Sequence, residues 1–169
     1  MSIEMLFLRI IHVCAAIFWG GGALMMEFFI RPALLASAEG GQRVAGHLAN
    51  QARLHIFMMI AGIATILAGT LLYWRDSDGF SSAWVRSGAG IGFGIGAVFG
   101  IIAFIFGAIF GRSNAELGKI SAQIQGKPTE EQLARIQALQ ERIRRVSPIH
   151  VAGVILAMLF MATARYLSF

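Results

Sequence analysis

The fold is decided by residues 5–30, whose sequence is MLFLRIIHVCAAIFWGGGALMMEFFI. A helix rises about 1.5 Å per residue, so a helix of this length crosses a hydrocarbon core of about 30 Å with room for tilt. Three ionisable residues, Arg9, His12 and Glu27, lie within this span, and Arg31 follows at its end. Ionisable side chains are costly inside a membrane, and they point by default to a functional site that faces protein or water.

One face of this helix combines an imidazole with a large aromatic ring. At 100° per residue, His12, Trp19 and Ala23 share one stripe. The three glycines at 20–22 carry no side chain, so another helix or a flat ligand can come close beside them. Cys14 points the opposite way and is interpreted as a packing residue. As the only cysteine, it allows no intrachain disulfide and no thiolate cluster for zinc.

The composition is that of an integral membrane protein. Of the 169 residues, 57% are hydrophobic and only 14% are charged, which is too apolar for an ordinary soluble domain. The length predicts a single domain over residues 1–169. Glu27 and Arg31 stand where a signal peptide would carry small residues, so the first span is not expected to be cleaved.

Three further apolar stretches, at 55–74, 87–111 and 148–167, predict an all-α transmembrane four-helix bundle. The polar segment 36–53 is predicted to flank the membrane and to wind straight into the second span. The third span is rich in glycine, which predicts a helix packed tightly on its neighbours. Its predicted packing face consists of Gly92, Gly96 and Gly100.

The polar residues 112–146 predict a cytoplasmic helical hairpin between spans 3 and 4. The sequence Gly-Lys-Pro at 126–128 breaks it, and Thr129 resembles an N-cap with Gln132 at the capping-box position. Pro148 is predicted to open the fourth span as its first helical residue.

The second leg of this hairpin carries an apolar seam for a partner helix. Its residues repeat at spacings of three, four and three: Ile136, Leu139, Ile143 and Val146. Ion pairs at i,i+4 are predicted between Glu131 and Arg135 and between Glu141 and Arg145.

Charge predicts the orientation. Four spans put both termini on one side, which holds four of the fourteen Lys and Arg residues, whereas the other side holds ten. Excess Lys and Arg remain cytoplasmic, so the hairpin is predicted inside and both termini outside, on the periplasmic side of a bacterial inner membrane. The basic excess is therefore a topology signal, with the lipid bilayer as partner and anionic head groups as a secondary possibility. It does not imply nucleic acid.

Topology also sorts three histidines by depth. His12 enters near the outer face, whereas His55 and His150 open the second and fourth spans at the cytoplasmic level, where Glu27 ends the first. Two imidazoles from different helices at one depth can clamp a metal such as copper or give a haem iron its two axial ligands. A carboxylate such as Glu27 could fix the imidazole tautomer.

Each of these residues has a simpler alternative role. His55 and His150 can sit at the interface and bind water, and His12 can make an interhelical hydrogen bond. Glu27 can pair with Arg31 at i,i+4. A site on the outer side would instead use His12, with Trp19 packing on the cofactor.

The first span resembles the opening helix of the copper-resistance D-like integral membrane proteins, because Trp19 follows His12 by seven residues and glycines come next. It is similar, more distantly, to the J-type protoporphyrinogen oxidases, which add an arginine near the helix end, for which Arg31 is the nearest match. The resemblance implies a four-span plan and a b-type haem or copper role, with His12 as the carried-over residue.

Three functions remain open on the sequence. The first is a small membrane protein that binds haem b or a transition metal for redox work or metal handling. The second is a non-catalytic accessory subunit of a larger membrane complex, or a homo-oligomer, favoured by the glycine-rich third span and the apolar seam. The third is a small transporter or permeation subunit, in which Glu27 and the histidines would be relay groups. No Ser/His/Asp arrangement or phosphate-binding glycine loop supports nucleophilic catalysis.

Overall fold

The computed structural model of the protein describes residues 2–124 and 126–168, apart from the side chains of residues 38, 39, 42, 49, 50 and 82. In this part of the chain the regular secondary structure is entirely helical, and four of the helices are long and apolar enough to cross a membrane. The helices are α1 (Ile3–Ala36), α2 (Ala38–Gly46), α3 (Leu54–Asp76), α4 (Ser82–Val85), α5 (Gly88–Gln123) and α6 (Glu130–Thr163). The predicted all-α fold with four apolar helices is confirmed.

The four long helices form two antiparallel pairs. In the first pair, the start of α1 meets the end of α3, where Glu4 accepts a hydrogen bond from Arg75 at 2.6 Å. In the second pair, the start of α5 meets the end of α6, where Gly92 lies against Ala164. Both chain ends therefore lie at the same end of the bundle.

The two pairs meet in one apolar layer. Trp19 of α1 is buried there, and its ring lies edge-on to Phe104 of α5, with the ring centroids 6.0 Å apart. The layer also contains Ala23, Ala61, Ala103 and Val154, so all four long helices contribute to it. Small residues around one large indole let four helices approach closely.

The glycine face of α5 packs against α6 of the same chain. A Cβ atom at Gly92 would lie 2.9 Å from the Cα atom of Ala164, and one at Gly96 would lie 3.2 Å from Met161. At Gly100 the nearest atom would be the Ala157 methyl at 3.9 Å, an ordinary contact. The predicted tight packing is confirmed, and it is tightest towards the start of α5.

The polar segments that follow span 3 and precede span 4, which are the two legs of the predicted hairpin at 112–146, are continuous with the helices of these spans. Helix α5 has 36 residues and α6 has 34, so each is about 50 Å long and exceeds a hydrocarbon core of about 30 Å. The prediction that Pro148 opens the fourth span is wrong, because Pro148 lies inside α6. The apolar stripe is buried on both sides of it, at Val146 and Val151, and this packing outweighs the preference of proline for a helix start.

Most of the local features predicted for these legs are present in the structure. Thr129 caps α6 and forms the capping box with Gln132, as predicted. The seam is buried at Leu139, Ile143 and Val146. Glu141 accepts a hydrogen bond from Arg145 at 2.7 Å, as predicted.

One predicted ion pair is wrong. Arg135 pairs with Glu116 of the opposite leg rather than with Glu131 on its own helix. The antiparallel packing of the two legs brings the Glu116 carboxylate within 2.8 Å of the guanidinium.

The segment before α3 does not run straight into it, so that prediction is also wrong. Helix α2 continues as a π-helical turn, His47–Gln51, and Arg53 then adopts a left-handed conformation with φ of 49°. This break lets the Arg53 carbonyl accept hydrogen bonds from Ile56 and Phe57, which starts α3 in a new direction.

Candidate functional site

A cavity of about 820 Å³ lies between the second half of α1, α2, the start of α3 and the second half of α5. This volume falls within the range of small-molecule and cofactor sites. Most of the wall is apolar, including Trp19, Met26, Met58, Phe104 and Phe110. Helix α6 contributes a single lining residue, His150.

Two π-helical turns shape the α1 wall, at Ile17–Gly21 and Met26–Ile30. On a regular helix Trp19 and Glu27 would stand about 80° apart. A π turn rotates less per residue, so both residues can face the cavity. Such turns are frequent at functional sites, and no pattern in the sequence predicts them.

His150 is held in one orientation at the cavity wall. Its Nδ1 atom lies 2.7 Å from the backbone carbonyl oxygen of Ala103, so Nδ1 carries the proton and donates it. The ring lies over Gly107, where a Cβ atom would be 2.6 Å from the imidazole Cε1. The Phe110 ring stacks with the imidazole, with the ring centroids 6.3 Å apart and the planes within 19° of parallel. The Nε2 atom therefore keeps its lone pair for another partner.

His55 lines the same cavity from the first turn of α3, as the prediction of two histidines at one level requires. Its Nδ1 atom is buried and has no hydrogen-bond partner among the described residues. A buried polar atom without a partner is uncommon in native proteins and calls for a water, an ion or a ligand.

Glu27 also lines the cavity, and it pairs with Arg31 at 2.9 Å, which confirms the predicted ion pair. The Nδ1–H group of His150 donates its hydrogen bond to the Ala103 carbonyl oxygen rather than to a carboxylate. Glu27 therefore neutralises Arg31 in the wall.

His12 lies away from this site and is not among the residues that line the cavity. Its Nδ1 atom lies 2.8 Å from the backbone carbonyl oxygen of Thr65 on α3, so the interhelical hydrogen bond is present. Trp19, which was paired with His12 in the prediction for an outer site, lines the cavity of His55 and His150.

The three histidines are thus divided between two places. Among the described residues, no group of three or more His, Cys, Asp and Glu side chains is arranged to hold a metal ion. The arrangement that the structure does provide is two imidazoles in one largely apolar cavity, which suits a ligand that brings its own equatorial donors.

Sequence reasoning assigned Arg43 and Arg112 to topology alone, yet both line the cavity. It also missed the Ala103 carbonyl and the place of Gly107 beneath the His150 ring. A backbone carbonyl has no sequence signature, and Gly107 looked like one more packing glycine in a glycine-rich helix.

Comparison with known proteins gives no match, whether to a family model, to a curated protein or to a solved structure. The resemblance to the copper-resistance D-like proteins therefore stays a prediction.

Proposed function

We propose that the protein is a small integral membrane protein that binds b-type haem in this cavity for redox work. One observation carries the proposal: the cavity presents two imidazoles from different helices, His55 and His150, and the tautomer of His150 is already set. Metal-ligating histidines almost always donate their other ring N–H to a backbone carbonyl or a carboxylate, as His150 does to Ala103.

The rest of the cavity fits a haem group. The buried Nδ1 atom of His55 has no hydrogen-bond partner among the described residues, which leaves this imidazole open to a ligand. Trp19, Phe104 and Phe110 supply flat apolar surface for a large ring system.

Haem bound there would supply one-electron chemistry. The chain would hold it through the imidazoles of His55 and His150. Phe110 limits rotation of the His150 imidazole by stacking on it. The apolar wall excludes water, which influences the reduction potential of a bound redox centre.

The two features that favoured an accessory subunit are used within the chain. The glycine face of α5 packs on α6, and the seam at Leu139, Ile143 and Val146 is buried. The proposal therefore keeps the redox function first. The proposed location is the bacterial inner membrane, with both termini on the outer side. The distribution of Lys and Arg supports this orientation.

The test is the absorption spectrum of the purified protein, oxidised and reduced, after expression with ample haem precursor. We expect a Soret band and about one haem per chain. We expect His150→Ala and His55→Ala each to lose most of the haem, because each removes one of the two imidazoles that would hold it. His47→Ala is the matched control, since His47 is exposed and does not line the cavity.

A parent protein without haem would overturn the proposal and return the accessory-subunit function to first place. Haem retained in both cavity variants and lost in His12→Ala would move the site to the outer half of the bundle.

A further inference from the structure

Among the described side chains that line the cavity, positive and negative charges do not balance. Four charged side chains lie in the wall, and Glu27 and Arg31 neutralise each other at 2.9 Å. Arg43 and Arg112 remain, and neither makes an ion pair with a described residue. The cavity therefore carries two positive charges that no described carboxylate compensates.

Neither arginine belongs to the apolar layer that the four long helices share. Along α5, the wall begins at Phe104 in the layer shared by the four long helices, and Arg112 follows eight residues later, a rise of about 12 Å. Arg43 comes from α2, which packs against α5, and both arginine side chains are exposed. Arg112 is therefore separated along α5 from the apolar layer, and the wall continues beyond it to Ala122.

An apolar cavity that also contains two arginines suits a ligand with a large apolar surface and negatively charged groups. A guanidinium group binds a carboxylate through two parallel hydrogen bonds, and its charge is permanent. We infer that Arg43 and Arg112 bind the two carboxylates on one edge of a flat apolar ligand. For the haem of the proposed function, on which this inference rests, these are the two propionates.

The experiment compares haem with its dimethyl ester on the parent protein. Esterification removes both negative charges and leaves the iron and the ring unchanged. Each charge-assisted contact is worth about tenfold in affinity, so we expect the ester, which loses both, to bind about a hundredfold more weakly.

Variants assign the effect to the two arginines. Arg43→Gln and Arg112→Gln should each weaken haem about tenfold and leave the affinity for the ester unchanged, because the ester has no charge to lose. Arg142→Gln removes one exposed charge outside the cavity and is the matched control. If a variant does not fold, the comparison of the two ligands on the parent protein is sufficient.

The outcomes separate this inference from the proposed function. Equal binding of haem and its dimethyl ester overturns the inference and leaves haem binding intact. An equal loss of both ligands in the arginine variants also overturns it, since the arginines would then act on the fold. A parent protein that binds neither ligand overturns both.

Discussion

His12 and His150 make the same contact in opposite halves of the bundle. His12 on α1 donates its Nδ1 proton to a backbone carbonyl of α3, the antiparallel partner of α1. His150 on α6 does the same to a backbone carbonyl of α5, the antiparallel partner of α6. The distances are 2.8 Å to Thr65 and 2.7 Å to Ala103. Each ring also lies over a glycine four residues after that carbonyl, at Gly69 and Gly107. The histidine is on the first helix of one pair and on the second helix of the other, so this is shared local packing and not a sequence repeat.

The difference lies in what surrounds the two rings. Of the two, only His150 lines the cavity, and Phe110 stacks on it. The same hydrogen bond therefore joins two helices in one place and, in the proposed function, orients a ligand in the other. Whether an intramembrane histidine is functional depends less on its depth than on the space beside its second nitrogen.

The largest effect is expected from breaking the helix pair that carries His150. In Gly96→Leu the side chain would enter a space where a Cβ atom already lies 3.2 Å from Met161 and Phe160. Overpacking of this kind costs about 3 kcal/mol or more, so α5 and α6 should separate. Thermal unfolding in detergent measures the change.

Gly100→Ala is the control for this variant, because its Cβ atom would make an ordinary contact at 3.9 Å. Parental melting and size-exclusion behaviour of Gly96→Leu would show that this face does not hold the pair together.

A smaller effect separates the two histidine contacts directly. Gly107→Ala would place a Cβ atom 2.6 Å from the His150 ring, and Gly69→Ala one 2.8 Å from the His12 ring. Both variants should lose about 1–3 kcal/mol, since each ring must move and its hydrogen bond weakens. Only Gly107→Ala should lower the haem per folded chain, by about tenfold, because it disturbs the group that orients a ligating histidine.

Melting temperature and haem content are measured on the same samples. Equal haem content in the two glycine variants would contradict the distinction between the two histidines.

The third prediction concerns the orientation of the bundle in the membrane, and its variants should not change stability. The orientation determines which side of the membrane His12 and His150 are closer to. Ala83 and Gln123 are exposed at opposite ends of the bundle. In a Cys14→Ser background, Ala83→Cys should react with a membrane-impermeant maleimide in intact cells, and Gln123→Cys only after permeabilisation. The expectation follows from the excess of Lys and Arg at the end that includes Gln123. The reverse pattern would put His12 at the cytoplasmic level.

The features that the sequence predicted correctly depend on local or periodic order. The spans follow from runs of apolar residues, and the Thr129 cap and the Glu27–Arg31 pair connect residues three or four positions apart. The seam ending at Val146 follows from a helical repeat. Each of these patterns can be recognised within one helix.

The features that the sequence missed join distant parts of the chain. Arg135 had a partner at i−4, but the nearer carboxylate comes from Glu116 in the other leg. Pro148 stays inside a helix because α5 buries the residues on both sides of it. Depth alone placed His55 and His150 at one level, but the cavity and the Ala103 carbonyl depend on how four helices pack.

The unbroken course of α6 gives the molecule a lever arm. About 30 Å of helix separate Glu130 from His150, so a tilt of about 5° around the histidine displaces the tip by roughly 2–3 Å. Pro148 lies two residues from His150 and has no amide proton to bond the carbonyl four residues earlier, so the stiffness of the arm is lowest next to the imidazole. Bending of α6 is therefore expected to concentrate next to His150, at the wall of the cavity.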